Sequence, residues 1–516
     1  MRRQDIQLLA QARKGHTASR LEVGRRYLTG ADGFPKHVKT GIEYLTHSSV
    51  ADLPTAKYLI AECLPLEELL AHQQLGTLEQ ASSFGSPAAQ AKLGVWLWVR
   101  HGRVEESEVL LETSSASGHA PSRAALQAIR RTAAKQSLST LLRVFDASGE
   151  LNGALVGVMA ARASLAKGDL SQLGLSLSAT LSLISDMTAE VADLIVAAVH
   201  LSESSAMPLP GVSPQNIEGA LELCASRGNQ VAAYTLGRGL CGLSVGAIGP
   251  GKLVNGTNFR RGVGMLLRAA DAGRNDAWLH LYRMHSDHSS SVANPEMARF
   301  YLEKAALTGH AEAQRKLGAL LLRASATLSQ SERAIEWLHR AARAGDGHAK
   351  RLLKSLVLPL EGSEAEARRA ISQVERDDPL LAIRMDLSRH FGLTKLEALC
   401  VDPADGMRPW GLVVGVNPFT SRIRLSAARA IPATSDGAMD AVQRAALFFG
   451  GAARGIPGFE GDLRRRSLRQ HRIFERFGLE ESMFFATAAS VTRDVVRLGP
   501  KWAFMARDAL QSALAV

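Results

Sequence analysis

Three stretches of this chain align with one another without gaps at a spacing of 36 residues, and any fold has to honour that repeat first. They are GVGMLLRAADAGRNDAWLHLY from Gly262, ARFYLEKAALTGHAEAQRKLG from Ala298 and AIEWLHRAARAGDGHAKRLLK from Ala334. Gly273, Gly309 and Gly345 fall in register, with the pairs Ala269-Ala270, Ala305-Ala306 and Ala341-Ala342 before them. Leu266, Leu302 and Leu338 share a position, as do Ala277, Ala313 and Ala349, and then Leu281, Leu317 and Leu353. The same frame surrounds Gly228 (Leu221, Ala232, Leu236), Gly85 (Leu78, Ala89, Leu93, Gly94) and Gly15 (Leu8, Val23, Gly24, Tyr27), and more loosely Gly118. From Gly118 to Gly228 is 110 residues, room for two degenerate copies within 127–215, and a further weak copy is expected near Ser49. Gly228 to Gly273 is 45 residues, and the surplus falls in a glycine-rich loop, LCGLSVGAIGPGKLVNGTN.

The residues of one unit dictate a helix pair. A first helix ends at the alanine pair, and the glycine after two more residues supplies the left-handed backbone that ends it. A second helix then carries Ala and Leu four apart on one face. Alanine and glycine let helices approach closely, and leucine fills the space between. Asn294-Pro295 reads as an N-cap and first helical residue, and Ser329 with Glu332 as a capping box. A single pair cannot bury its apolar flank, so neighbours have to stack.

The pattern AAxxGxxxAxxxLG, as in AALTGHAEAQRKLG (Ala305 to Gly318), with VGRRYLTG (Val23 to Gly30) after it, resembles the Sel1-like repeat family, a relative of the tetratricopeptide repeat. The resemblance implies an all-α fold, an α-solenoid of helix-turn-helix repeats, that holds partner proteins as an adaptor or scaffold. The frame spans residues 1–355. Residues 356–379 read as a charged helix or linker, and 380–516 as a separate, mostly helical C-terminal module. In that module WGLVVGV (Trp410 to Val416) and RIRLS suggest a short β-hairpin about Asn417-Pro418. Helices are expected from Asp436 to Phe449 and from Arg465 to the end, broken near Gly499-Pro500.

Composition narrows the function classes. Hydrophobic residues make up 46% and charged residues 22%, ordinary for a globular chain with a large core. The net charge of +11 is compatible with acidic protein, nucleic-acid or anionic membrane partners. Cys63, Cys224, Cys241 and Cys400 form no CxxC pair and read as free thiols. The N-terminal MRRQDIQLLAQARKGH lacks an apolar signal core and no run reaches 18 apolar residues, so the expectation is a cytoplasmic chain without a membrane span.

No motif demands a cofactor or a metal. Gly246 to Lys252 matches GxxxxGK, but Leu253 replaces the hydroxyl that would hold magnesium. Gly242-Leu-Ser244-Val-Gly246 matches GxSxG in the same loop, without the preceding strand a nucleophile elbow needs. His285 and His288 could share a helical face but lack a third ligand, and His390 with Cys400 carries no catalytic signature. Asp386 to Leu399 has a helix-Gly-helix look. Arg464 to Phe477 is basic, with Leu468, Ile473, Phe474 and Phe477 placed to form a core face. In the repeats, Arg25, Arg238 and Arg283, together with Arg20 and Gln314 (Gln90 in another copy), form a polar stripe on the second helices that would suit an acidic segment. The leading expectation is therefore a protein-binding adaptor. The alternatives are a DNA-binding regulator whose C-terminal region reads DNA, and an enzyme with its site in the C-terminal module.

Overall fold

The computed structural model describes residues 3–132, 136–415, 428–452, 460–487 and 506–515. Apart from one small sheet the described chain is helical, and it divides into two compact units, Met1–Arg274 and Asn275–Val516.

In the first unit, helix pairs follow one another: α1 (Arg3–Arg13) and α2 (Thr17–Thr29), α3 (Val38–Leu45) and α4 (Pro54–Cys63), then a short α5 (Leu66–Ala71). Next come α6 (Leu75–Ser83) and α7 (Pro87–His101), then α8 (Val104–Ala116) and α9 (Ala120–Ile129). The stretch without clear anchors holds two more pairs, α10 (Ser137–Ala147) with α11 (Gly153–Lys167) and α12 (Leu170–Leu181) with α13 (Ala189–Ser205). α14 (Pro214–Ser226), α15 (Gln230–Leu240), a four-residue α16 (Pro250–Leu253) and α17 (Phe259–Asp271) complete the unit. Each pair packs on the next, the stacking of an α-solenoid.

The second unit begins with α18 (Asp276–Ser286), followed by α19 (Pro295–Leu307) with α20 (Ala311–Ala324) and α21 (Leu328–Arg343) with α22 (Gly347–Ser355). The helices α23 (Glu364–Asp377), α24 (Pro379–Phe391), α25 (Lys395–Cys400) and α26 (Pro403–Gly406) lead to the strands β1 (Met407–Arg408), β2 (Gly411–Val414) and β3 (Arg429–Pro432). Then come α27 (Asp436–Ala452), α28 (Leu463–Phe477), α29 (Glu481–Phe484) and α30 (Arg507–Ala515).

The turn inside each repeat is set by its glycine. Gly15, Gly85, Gly118, Gly228, Gly273, Gly309 and Gly345 all have φ between +91° and +98°, where a side chain is strained. Gly309 donates to the Ala306 carbonyl at 3.1 Å, and His310 to Ala305 at 3.3 Å, which closes the exposed helix end. Arg274 to Ala269 and Asp346 to Ala341 repeat the longer bond at 2.9 and 3.0 Å. The alanine pairs and Leu266, Leu302 and Leu338 are buried. A second glycine sets the spacing between repeats. A Cβ on Gly318 would lie 2.8 Å from Leu338 Cγ and 3.0 Å from the Ala334 carbonyl, so α20 and α21 meet at backbone distance. Gly24 faces Leu45, and Gly237 faces Leu266, in the same way.

One helix departs from nearest-neighbour stacking. Along α7 the run KLGVWLWV leaves no polar face, and a helix that is apolar all round has to be enclosed. α7 touches α4, α6, α8, α10, α11 and α12, so later repeats close over it. Its polar groups are tied individually. Lys92 Nζ donates to the carbonyls of Ala61 at 2.7 Å and Leu64 at 3.0 Å, and lies 3.5 Å from Glu150. Burial pushes Lys92 below its usual range, with Glu150 opposing. Arg100 donates to Ser164 Oγ at 3.1 Å and the Ala163 carbonyl at 3.0 Å. Ser176 Oγ donates to the Val99 carbonyl at 3.1 Å. From α5, the Leu66 amide reaches the Glu150 carbonyl at 3.2 Å, and Glu67 accepts from the Asn152 amide at 3.0 Å.

In the second unit, the last repeat and the C-terminal elements share an apolar cluster in which Trp410, Val413 and Ala430 join Ala334, Leu338 and Leu352. The sheet is antiparallel in the order β1-β2-β3. β2 pairs with Arg429–Pro432; RIRLS, Asn417-Pro418 and Gly499-Pro500 lie outside the described residues. Two ion pairs sit in this core. Arg429 on β3 clasps Glu397 at 2.8 and 2.9 Å with both side chains essentially inaccessible, while Arg429 Nη1 meets no acceptor among the described residues. Burial alone would raise Glu397, but Arg429 and the Thr394 amide leave it lowered. Arg384 holds Glu460 through Nε at 2.8 Å and reaches the carbonyls of Ala398 and Val401.

Several local expectations shift. Asn294 caps α19 as expected, accepting from the amides of Glu296 and Met297. The capping box of α21 is formed by Thr327 and Gln330, not Ser329 and Glu332, because the helix starts at Leu328. α28 ends at Gly478, whose φ of +63° stops it. Leu468 is 49% exposed, leaving Phe474 with half-buried Ile473 and Phe477 to anchor that helix.

Four substitutions separate these forces, read as urea midpoints by circular dichroism. Gly309→Ala is expected to cost about 1–2 kcal/mol from backbone strain alone, since no atom lies near its Cβ position. Gly318→Ala is expected to cost about 1–3 kcal/mol by forcing α20 and α21 apart, whereas Gly264→Ala, at an open helical position, should stabilise by about 0.5–1 kcal/mol. Glu397→Ala should cost about 3–5 kcal/mol, because it strands the Arg429 charge in the core.

Candidate functional site

A cleft of about 700 Å³ opens among α18, α19, α20 and the start of α21. Its floor is apolar: Leu302 and Leu317 are buried, and Ala298, Leu320 and Leu321 complete it. These residues are there because the repeat places leucines on the inner faces of α19 and α20, and the turn between α18 and α19 stands clear of them. The rim is basic, with Arg299, Arg323 and Arg333, and His285 and His288 at one end. No aspartate or glutamate lines the cleft. Arg299 bonds Glu303 on its own helix at 3.2 Å, while Arg323 and Arg333 are exposed and make no ion pair among the described residues. The His285 ring lies 5.1 Å from that of Tyr301, and burial lowers its pKa, which favours the neutral ring.

The residues singled out in sequence have varied fates. Arg20 is buried, and its Nε donates to the Ala12 carbonyl at 3.1 Å. Gln314 is buried and donates to the Ala306 carbonyl at 3.2 Å, and Gln90 reaches Ser82 in the same way at 3.4 Å. All three reach back eight residues, tying the start of the second helix to the end of the first. The geometry thus gives Arg20 and Gln314 an internal role and leaves them little surface for a partner. Arg25 donates to Glu22 at 2.8 Å, and these bonds, with help from Arg26 and against partial burial, hold Glu22 down to about 2. Arg238 bonds Glu203 and the Ser244 carbonyl, both at 2.6 Å, beside the Tyr234 ring. Arg283 bonds Glu312 at 2.8 Å and keeps half its side chain in solvent.

The motif matches resolve into structural features. Gly246 approaches the backbone of Glu203 in a tight turn bridged by Val245 and Ile248, and Lys252 sits in the four-residue α16, so the loop has neither the strand nor the helix of a phosphate cradle or nucleophile elbow. α18 stops at Ser286, so His285 and His288 do not share a helical face. Among the described residues no three potential ligands gather to hold a metal. His390 lies 3.6 Å from Asp386, and burial pushes the Cys400 thiol up, the reverse of what a nucleophile needs. α25 is six residues long with Glu397 to Cys400 buried, so it offers no recognition surface for a DNA groove. On α28, Arg466 and Arg476 engage Glu460 and Asp377, and Arg464, Arg465 and Arg472 face outwards.

Of the candidate site residues singled out in sequence only His285 and His288 line the cleft; Arg299, Arg323 and Arg333 do not recur in the repeat frame, so nothing in the sequence pointed to its rim. Nor does any helix of the described chain have the length and apolarity to cross a membrane.

The family model for the Sel1 repeat matches residues 289–310 and 311–346, which form part of the turn before α19, α19 itself, α20 and α21. Comparison with curated proteins gives no match. Among solved structures, the chain is similar to a protective antigen of uropathogenic Escherichia coli displaying an SLR fold. That similarity has 20% identity and a TM-score of 0.27, over 68% of this chain and 74% of that one. A Sel1 repeat protein from Oxalobacter formigenes gives 21% identity and a TM-score of 0.27, over 68% of this chain and 89% of that one. At those TM-scores the structures carry no argument about arrangement, and the weight rests on the repeats. With glycine turns of one geometry recurring along the chain and the family's own signature at 289–346, the chain carries Sel1 repeats and is similar to the proteins of that family.

Proposed function

We propose that the chain is an adaptor that binds a segment of another protein in the cleft of α18 to α21, and that the segment is amphipathic and acidic. Sel1 repeat proteins are generally interaction scaffolds, which supports protein as the partner class. The observation that carries the finer reading is the cleft's composition: an apolar floor inside a rim of arginines, with no carboxylate in its lining. Apolar side chains of the partner would fill the floor, and its acids would meet Arg323 and Arg333, which pair with no carboxylate among the described residues. Arg283, half exposed beside Tyr282, extends the basic edge in this reading. Arg25 and Arg238, in the first unit and held by Glu22 and Glu203, are no part of this reading.

The test compares proteins captured by the full-length chain with those captured by Arg323→Glu/Arg333→Glu. Loss of a defined partner that survives the control reversal Arg464→Glu/Arg465→Glu, with capture weakening as salt rises, is the expected result. Equal capture by both variants would remove the cleft from the interaction. Loss only with the control would move binding to α28, and a salt-sensitive gel shift lost with that same control would favour nucleic acid.

A further inference from the structure

The last described helix lies on the second helices of the final two repeats. α30 packs against α20 and α22, and Ala506 at its start, Leu510 and Ala513 are buried in one cluster with Ala349, Leu352, Leu353 and Leu356. Their spacing of four and three residues makes a single stripe down the helix. The opposite side, with Arg507, Asp508, Gln511 and Ser512, is exposed. Polar contacts pin the far end. Buried Arg315 donates through Nε to Asp346 at 3.0 Å and through Nη1 to the Ala513 carbonyl, in the last turn of α30, where a cation suits the helix dipole. Ser512 Oγ lies 3.4 Å from His348 Nδ1.

This seat holds its helix by little. A nine-residue helix is not stable in water alone, and here buried Leu510 and two buried alanines, the half-buried Ala509 and Leu514, and one guanidinium order it. The sheet on the other side of the last repeat is bound differently, through Trp410 and Val413 in the core and the Arg408–Glu332 pair at 2.9 Å. The seat is also separate from the cleft: at 100° per residue, Arg315 and Ala319 lie on the opposite side of α20 from Leu317 and Leu321.

We propose that this face of α20 and α22 is a helix-receiving interaction surface, occupied in cis by α30. In trans it accepts a partner's amphipathic helix with the same small–leucine–small stripe and a C-terminal turn whose carbonyl meets Arg315. The cis helix both defines the partner's pattern and guards the surface, because a tethered occupant competes at high effective concentration.

The probe is a fluorescein-labelled peptide of residues 506–516, titrated by anisotropy against full-length protein. Leu510→Asp, which frees the cis helix, should bind the peptide, and the wild-type chain should bind it at least tenfold more weakly. Adding Arg315→Ala to Leu510→Asp should weaken binding at least fivefold. Ala513→Glu frees the same helix through a different contact and replaces Leu510→Asp if that variant loses helical circular dichroism. A released variant with native circular dichroism that fails to bind overturns the proposal, as does equal binding by the wild-type chain. A wild-type chain that is dimeric, and monomeric with Leu510→Asp, would assign the face to a second copy and overturn it equally.

Discussion

A pair of short helices has more apolar flank than it can hide by itself, and the whole structure follows from how that surplus is covered. Most repeats cover it with the next repeat. Glycine is needed twice for this, once to reverse the chain with φ near +90° and once, as in Gly318, to let the next helix come within backbone distance. Alanine pairs keep the end of each first helix thin, and the side chains of Arg20, Gln90 and Gln314 fasten the two helices at the turn. Apolar area drives the stacking, but these glycines and ties set its geometry.

Where the surplus is larger, the covering changes. α7 has no face to spare for water, and repeats beyond its neighbour close over it. The second unit meets the problem at the end of its array. There a sheet and a short helix cover the last repeat on two sides, and the buried pairs Arg429–Glu397 and Arg384–Glu460 fix how the added elements pack. Buried ion pairs of this kind contribute more to a defined arrangement than to net stability.

The periodic part of this was legible in the sequence because it repeats one physical solution. A glycine three residues past the small pair that ends the first helix is a helix stop, and all seven glycines of the frame share one backbone geometry, although only Gly273, Gly309 and Gly345 follow two alanines. The copies between Gly118 and Gly228 kept the helix pairs but lost the signature, and α12 to α13 has no reversing glycine at all, which is why only length suggested them. The site was less legible. A stripe of arginines along a frame looks like a binding surface, but sequence does not show that Arg20 points inward or that Glu22, Glu203 and Glu312 already hold the other arginines. The leucine floor of the cleft follows the repeat, but the arginines of its rim share no period and come together only in the fold. The β3 strand had no sequence signal, because the residue that fixes it, Arg429, answers to Glu397 some thirty residues away.

The enclosure of α7 also bears on how such a chain can change length. A repeat array whose units touch only their neighbours can gain or lose a copy anywhere, since every junction is the same. Here α7 binds particular partners two and three repeats on: Ser164 for Arg100, Ser176 for the Val99 carbonyl, Glu150 for Lys92. A copy inserted or deleted between Trp98 and Leu170 would put every one of those partners out of reach together. The number of repeats in that stretch is therefore locked, and lengthening by duplication is confined to parts of the array that nothing reaches across.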